Sequence, residues 1–225
     1  AYRETLPERR HDALQWRSLW RANLEIFRHP VFRTWCALSS ASYLGLFTIL
    51  ASSSFVFTRQ LGYSKTTYGL LMFTMSLAYI LGTFWGRWML RRTSMHRTVG
   101  IAGVLTLSGG VLLTLLAHAG LEQPWYGAWA VMGPVYLFMF GHGVHQPCGQ
   151  SAAVAPFPLK AGTASALNGF LMMLGAFFMG GWLGRNMDVP LLALAHGMLL
   201  WSAVIATVAW TAVQRHGKPV EWKAA

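Results

Sequence analysis

"WYGAWAVMGPVYLFMFGHGVHQPCGQSAAVA", residues 125–155, runs for 31 residues without an Asp, Glu, Lys or Arg. A helix needs roughly 20 apolar residues to cross the ~30 Å hydrocarbon core of a bilayer. Five more charge-free stretches of that order lie around it: 34–57, 66–86, 98–117, 162–184 and 189–213. Helices of soluble domains average about 10–14 residues, so six stretches of this length read as six transmembrane helices. Composition agrees, with 54% hydrophobic residues, 11% charged and a mean hydropathy of +0.40, where a soluble domain carries about 25% charged residues. The expected fold class is an all-α membrane protein.

The net charge of +11 invites a nucleic-acid reading, but its distribution points elsewhere. Seven Arg precede the first stretch, Arg87, Arg91, Arg92 and Arg97 join the second to the third, Lys160 joins the fourth to the fifth, and Arg215, Lys218 and Lys223 follow the sixth. The opposite side holds Arg59, Lys65 and Arg185. Basic residues gather on the cytoplasmic side of multi-pass proteins, so both termini are expected to be cytoplasmic. The lipid bilayer is the expected partner, and nucleic acid is not. Cys36 and Cys148 both fall in the cytoplasmic halves of their spans, where no disulfide is expected.

Residues 1–30 differ from the rest, with four of the seven acidic residues and no apolar run. Leu14, Leu19, Trp20, Leu24 and Phe27 fit a helical stripe, so the segment reads as a cytoplasmic connector lying along the membrane surface. The transmembrane unit is then 31–215, followed by a cytoplasmic tail, 216–225. Within it, "GTFWG" (Gly82, Gly86) and "GGWLG" (Gly180, Gly184) are small-xxx-small pairs that let helix backbones approach. The long fourth stretch carries Pro134 and Pro147, each of which removes a backbone hydrogen bond and bends a helix.

"PFPLKAGTASALNGF" (156–170), "SSFVFTRQLGYSKTTYGLLM" (53–72) and "RETLPERR" (3–10) resemble three joins in Bcr/CflA-type drug:proton antiporters of the major facilitator superfamily. These are the passages between helices ten and eleven, between helices seven and eight, and at the start of the central loop. The resemblance implies twelve helices in two halves around a central cavity, with this chain as the C-terminal half, helices seven to twelve. It also implies a bacterial inner membrane, a missing N-terminal six-helix half as partner, and a small-molecule substrate exchanged against protons. The loop motif G-x-x-x-D-R-x-G-R-R falls on "GTFWGRWMLRR", where Gly86 stands in place of the aspartate. A gate built on that carboxylate is not expected on this half.

Proton coupling needs a titrating group inside the membrane, and no charge-free stretch holds a carboxylate. Either a histidine (His142, His145 or His196) couples the proton or the acid lies in the missing half, and the resemblance implies the missing half. On a helix, His142 and His145 lie about 60° apart and Cys148 about 120° from His142. A zinc site needs three or four converging ligands, so "GHGVHQPCGQ" is not expected to bind metal, and no cofactor is expected. The two histidines either bond to neighbouring helices or line the cavity, with Gln146 on their side. His196 is expected to pack or to bond to backbone. Asn168 either lines the cavity or links helices, and Tyr43, Phe47, Met72, Met75 and Met172 offer the adaptable apolar surface a drug site uses.

The expected function is proton-driven export of small apolar or amphipathic compounds by alternating access, a transporter rather than an enzyme. Two alternatives stay open: a six-span protein with histidine-ligated haem, and a major facilitator uptake system for another substrate. An intramembrane metalloenzyme is disfavoured, because no H-E-x-x-H occurs.

Overall fold

The computed structural model describes residues 16–120 and 127–217, and for residues 17 and 18 only the backbone. Short α1 (Trp16–Arg28) leads into α2 (Pro30–Ser54), which ends in a π-helical turn, Phe55–Gln60. Then come α3 (Lys65–Leu90), α4 (Met95–Gly120) and α5 (Ala128–Val154). A 3-10 turn at Pro158–Lys160 opens α6 (Ala161–Arg185), followed by α7 (Pro190–Trp210) and the short α8 (Ala212–His216). Among the described residues there is no strand.

Local chemistry explains the ends. Pro30 and Pro190 sit in the first turns of α2 and α7, where a missing N–H costs nothing. Ser64 caps α3, its hydroxyl accepting from the Thr67 N–H at 3.1 Å. Between α2 and α3 the chain turns at Gly62, whose φ of 70° lies in the left-handed region that favours glycine. That same turn closes two other helices. The Gln60 side chain accepts from the Leu191 N–H (3.1 Å) and the Tyr63 hydroxyl from the Ala128 N–H (3.2 Å). Each satisfies a donor that a helix start leaves without an intrahelical partner.

The six long helices contain the six charge-free stretches nearly end to end. They also run past most of them, taking in Arg33, Arg59, Lys65, Arg87 and Arg185 at their ends, where long cationic side chains reach polar surroundings. Five of the six are apolar enough to cross a membrane by length and composition alone, and α5 falls short of that measure. His142, His145, Gln146, Gln150 and two prolines lower its hydropathy. It can afford them because α2, α3 and α4 surround it, so much of its surface meets protein rather than lipid.

The packing has an internal exchange symmetry. α2 packs on α5, α6 and α7, while α5 packs on α2, α3 and α4, and α4 packs on α7. Swapping α2–α4 for α5–α7 maps these contacts onto one another, the pattern of a nested three-plus-three repeat. α2, α5, α4 and α7 form a closed ring around the core of Phe32, Trp35, Leu38, Phe138 and Met198. α3 and α6 lie outside the ring and turn Phe73, Leu81, Phe84, Phe170, Phe177 and Phe178 outward.

Candidate functional site

The geometry of α5 follows from its glycines and from Pro147. An interior proline leaves the carbonyl four residues earlier without its helical donor. For Pro147 that carbonyl belongs to Gly143, and α3 supplies the missing donor. The Thr83 hydroxyl lies 3.2 Å from the Gly143 oxygen, sharing its proton with the Tyr79 carbonyl at 3.0 Å. The approach requires small residues on both helices. A Cβ on Gly143 would collide with the Tyr79 carbonyl and stand 2.9 Å from the Thr83 nitrogen, and one on Gly82 would collide with the Phe140 carbonyl. "GTFWG" is thus a backbone-to-backbone crossing, as its pattern implied.

The histidines are placed by the same helix. His142 is 3% exposed, with Nδ1 2.7 Å from the Ser42 hydroxyl of α2 and its ring 5.5 Å from that of Tyr79 on α3. His145 is fully buried, with Nε2 3.2 Å from the Thr106 hydroxyl of α4. The two rings bond to different helices, α2 and α4. His145 Nδ1 and Gln146 Oε1 are buried without a protein partner. Gly149 is pressed against Ser39 of α2 while Gln150 is exposed, so the polar stripe divides between two neighbours and open space.

The nine candidate residues separate accordingly. Tyr43 and Phe47 lie on the partly open side of α2. The Tyr43 hydroxyl points at the Met173 sulfur of α6 (3.9 Å). Phe47 borders a cleft of about 790 Å3 with Met173, Ala176, Phe177 and Gly180, where Arg185 is the single charged residue. Met72 is half-buried, with its sulfur 3.8 Å from the Ser53 hydroxyl. Gln146 is half-buried, while Met75 and Met172 are each 5% exposed and packed inside the bundle. Asn168, 3% exposed, accepts from the Ser39 hydroxyl at 3.1 Å and so links α6 to α2. Phe177 was not legible as a candidate, because one more aromatic in an apolar helix carries no positional signal.

Two further expectations meet the structure differently. "GGWLG" does not bring helices together among the described residues, since Gly181 and Gly184 have nothing within 4 Å and Gly180 only the edge of Phe47. His196 is exposed rather than packed, and its Nε2 lies 3.1 Å from that of His118 on α4. At the aspartate position of the loop motif, a Cβ on Gly86 would meet Val144 at 3.2 Å, which leaves little room for a carboxylate side chain.

The sequence profile of the Major Facilitator Superfamily matches residues 2–180, which is most of the chain and five of the six long helices. The chain belongs to the major facilitator superfamily. It is an all-helical, multi-pass membrane protein, and its six long helices fit half of a major facilitator bundle. One similar protein is Multidrug resistance protein D of Escherichia coli (strain K12), 34% identical over 115 residues. That alignment takes in 48% of this chain and 28% of the relative, so the chain matches less than a third of the relative's length. No solved structure matches the chain.

Proposed function

We propose that this chain is the C-terminal half of a proton-coupled exporter of small apolar or amphipathic compounds, working by alternating access. Residues 1–30 connect it to a preceding six-helix half, 31–215 span the bilayer, and 216–225 form a tail. By their order along the sequence, fifteen of the 18 Lys and Arg fall in segments on one side of the spans, and on this reading that side is the cytoplasm of a bacterial cell, across the inner membrane. The observation that carries the reading is the open α2–α6 wall. Tyr43, Phe47, Met173 and Phe177 present soft, polarizable apolar surface, while Asn168, His142 and His145 each bond through one polar atom to a neighbouring helix. A wall of that chemistry accepts apolar compounds of varied shape. The similarity to a protein named for multidrug resistance points the same way.

On this reading the half supplies one cavity wall and no carboxylate. The protons are carried by an acidic group of the preceding half, in keeping with the charge-free spans. The test is transport in everted membrane vesicles holding the intact transporter, energised by a proton gradient and loaded with a lipophilic fluorescent dye. Phe47→Ala and Phe177→Ala should each slow dye accumulation several-fold with membrane protein levels unchanged. Wild-type rates in both variants would remove the α2–α6 wall from the substrate path, and gradient-driven release in place of accumulation would identify an uptake system.

A further inference from the structure

The metal-ligand geometry that the spacing of "GHGVHQPC" evokes is found elsewhere, on two histidines 78 residues apart. His118 lies in the last turn of α4 and His196 in the second turn of α7. Both are exposed, their Nε2 atoms stand 3.1 Å apart, and the ring centroids are 5.3 Å apart with the planes tilted by 37°. We propose that His118 and His196 form a binding site for a borderline-soft divalent transition cation, Cu2+ foremost, which clips α4 to α7.

The distance carries the proposal. Imidazole nitrogens bind such cations at about 2.0–2.1 Å. Two nitrogens 3.1 Å apart therefore subtend about 95–102° at a shared metal, between the octahedral and tetrahedral angles. To admit the ion, the rings need only turn about their side-chain bonds so that both lone pairs converge on it. Without metal, one ring must donate and the other accept, so a single proton occupies the space between two nitrogens. A cation in that space uses both lone pairs.

The surroundings hold the two helices together. Beside them the Thr114 hydroxyl of α4 donates to the Ala195 carbonyl of α7 at 3.3 Å, and further along Gly110 abuts Ser202 and Gly103 faces Ala209. This seam fixes the two helices side by side along most of their length, so the two residues stay opposite each other. His118 is two residues from the end of α4 and His196 six from the start of α7. At 1.5 Å per residue the pair lies within about 9 Å of the helix ends, at a depth that water and hydrated ions reach. It is at the end of the bundle away from the Arg-rich connections. Among the described residues no third His, Cys, Asp or Glu joins the pair, so water completes the shell and the ion exchanges freely.

The ligand type sets the preference. Imidazole suits Cu2+, Ni2+ and Zn2+, with Cu2+ strongest in the general order of divalent affinities. Mg2+ and Ca2+ favour oxygen ligands and should not bind. The experiment takes the intact transporter in nanodiscs, free of any histidine tag, and titrates it with Cu2+, Zn2+ and Mg2+. Wild type is compared with His118→Gln, His196→Gln and, as control, His216→Gln. The expected result is one Cu2+ per chain, a weaker Zn2+ site and no Mg2+ response. Either pair substitution should weaken Cu2+ at least tenfold and abolish the metal-induced rise in melting temperature, while His216→Gln leaves both intact. Equal Cu2+ affinity in wild type and both pair variants would overturn the site. If a variant fails to fold, the wild-type Cu2+ paramagnetic resonance spectrum decides: coupling to two imidazole nitrogens supports the clip, and one or none overturns it.

Discussion

α5 and α6 are built from similar material and used in opposite ways. Both are rich in small residues, α5 in the run from Gly141 to Gly149 and α6 from Gly162 to Gly184. In that run of α5 the glycines are contact points, with Gly141 against Thr106 of α4, Gly143 against the α3 backbone and Gly149 against Ser39 of α2, while Gly133 nearer the start is open. On α6, Gly175 is pressed on Leu44 of α2, but Gly162, Gly169, Gly181 and Gly184 have nothing within 4 Å. A small residue permits close approach but does not create it. What separates the two helices is position: α5 stands in the ring with neighbours on three sides, and α6 flanks the ring with one broad face uncovered.

The largest expected effect tests this contrast directly. Gly143→Leu forces a side chain into the Tyr79 carbonyl and Thr83 nitrogen, and neither backbone group can yield without separating α3 from α5. Overpacking a filled interior costs about 1–3 kcal/mol and occasionally more, and here the obstacle is main chain. The protein should fail to appear as a monodisperse species in detergent. Gly184→Leu, placed in open space, should change the melting temperature by no more than experimental error. Equal damage from the two substitutions would break the comparison.

Next comes the buried polar junction. His145→Ala removes the bond to Thr106 and leaves a hole beside a fully buried site. Hydrogen bonds between membrane helices average about 0.6 kcal/mol and reach about 1.7, so with the cavity the loss should be about 2 kcal/mol, read from equilibrium unfolding in mixed micelles. His142→Ala, which loses the bond to Ser42, should cost about 1 kcal/mol. Rates of transport distinguish these from the open wall. Phe47→Ala should reduce transport with little change in stability, whereas the histidine variants lose stability first. A histidine variant with normal stability and altered transport would move that residue from scaffold to site.

The smallest effect belongs to an ion pair that ties α1 to the α6 end of the bundle. Lys160 Nζ lies 2.6 Å from Glu25 Oε2, with the side chains 33% and 62% exposed. Exposed pairs contribute about 0.2–1 kcal/mol, so Lys160→Gln should leave the melting temperature within about 1 °C of wild type. Limited proteolysis near Arg28 should accelerate slightly. A large stability loss would mean that α1 is part of the folded bundle rather than an appendage.

Much of the architecture was legible before any coordinate. The six charge-free stretches located the six long helices, and Pro147 announced an irregularity in α5. The destination of its freed carbonyl was not legible, because Thr83 lies 60 residues away on a different helix. The same holds for His118 and His196, which look like unrelated helix-end residues until α4 and α7 are laid together. "GTFWG" and "GGWLG" read alike in the sequence, and Gly82 is a crossing while Gly184 is open space.

Sequence by itself determined how many long apolar helices the chain forms, roughly where each begins and ends, and how the positive charge divides between their connections. It could do so because unpaired backbone groups and charges are costly in lipid, so length and charge placement leave few alternatives. Tertiary structure decided which face of each helix meets protein, cavity or lipid. In a soluble helix, polar and apolar residues mark those faces. In a membrane, lipid and helix interior are equally apolar, so the mark is erased. Only contacts such as Gly143 on Tyr79, Ser39 with Asn168 and His118 with His196 tell one face from another.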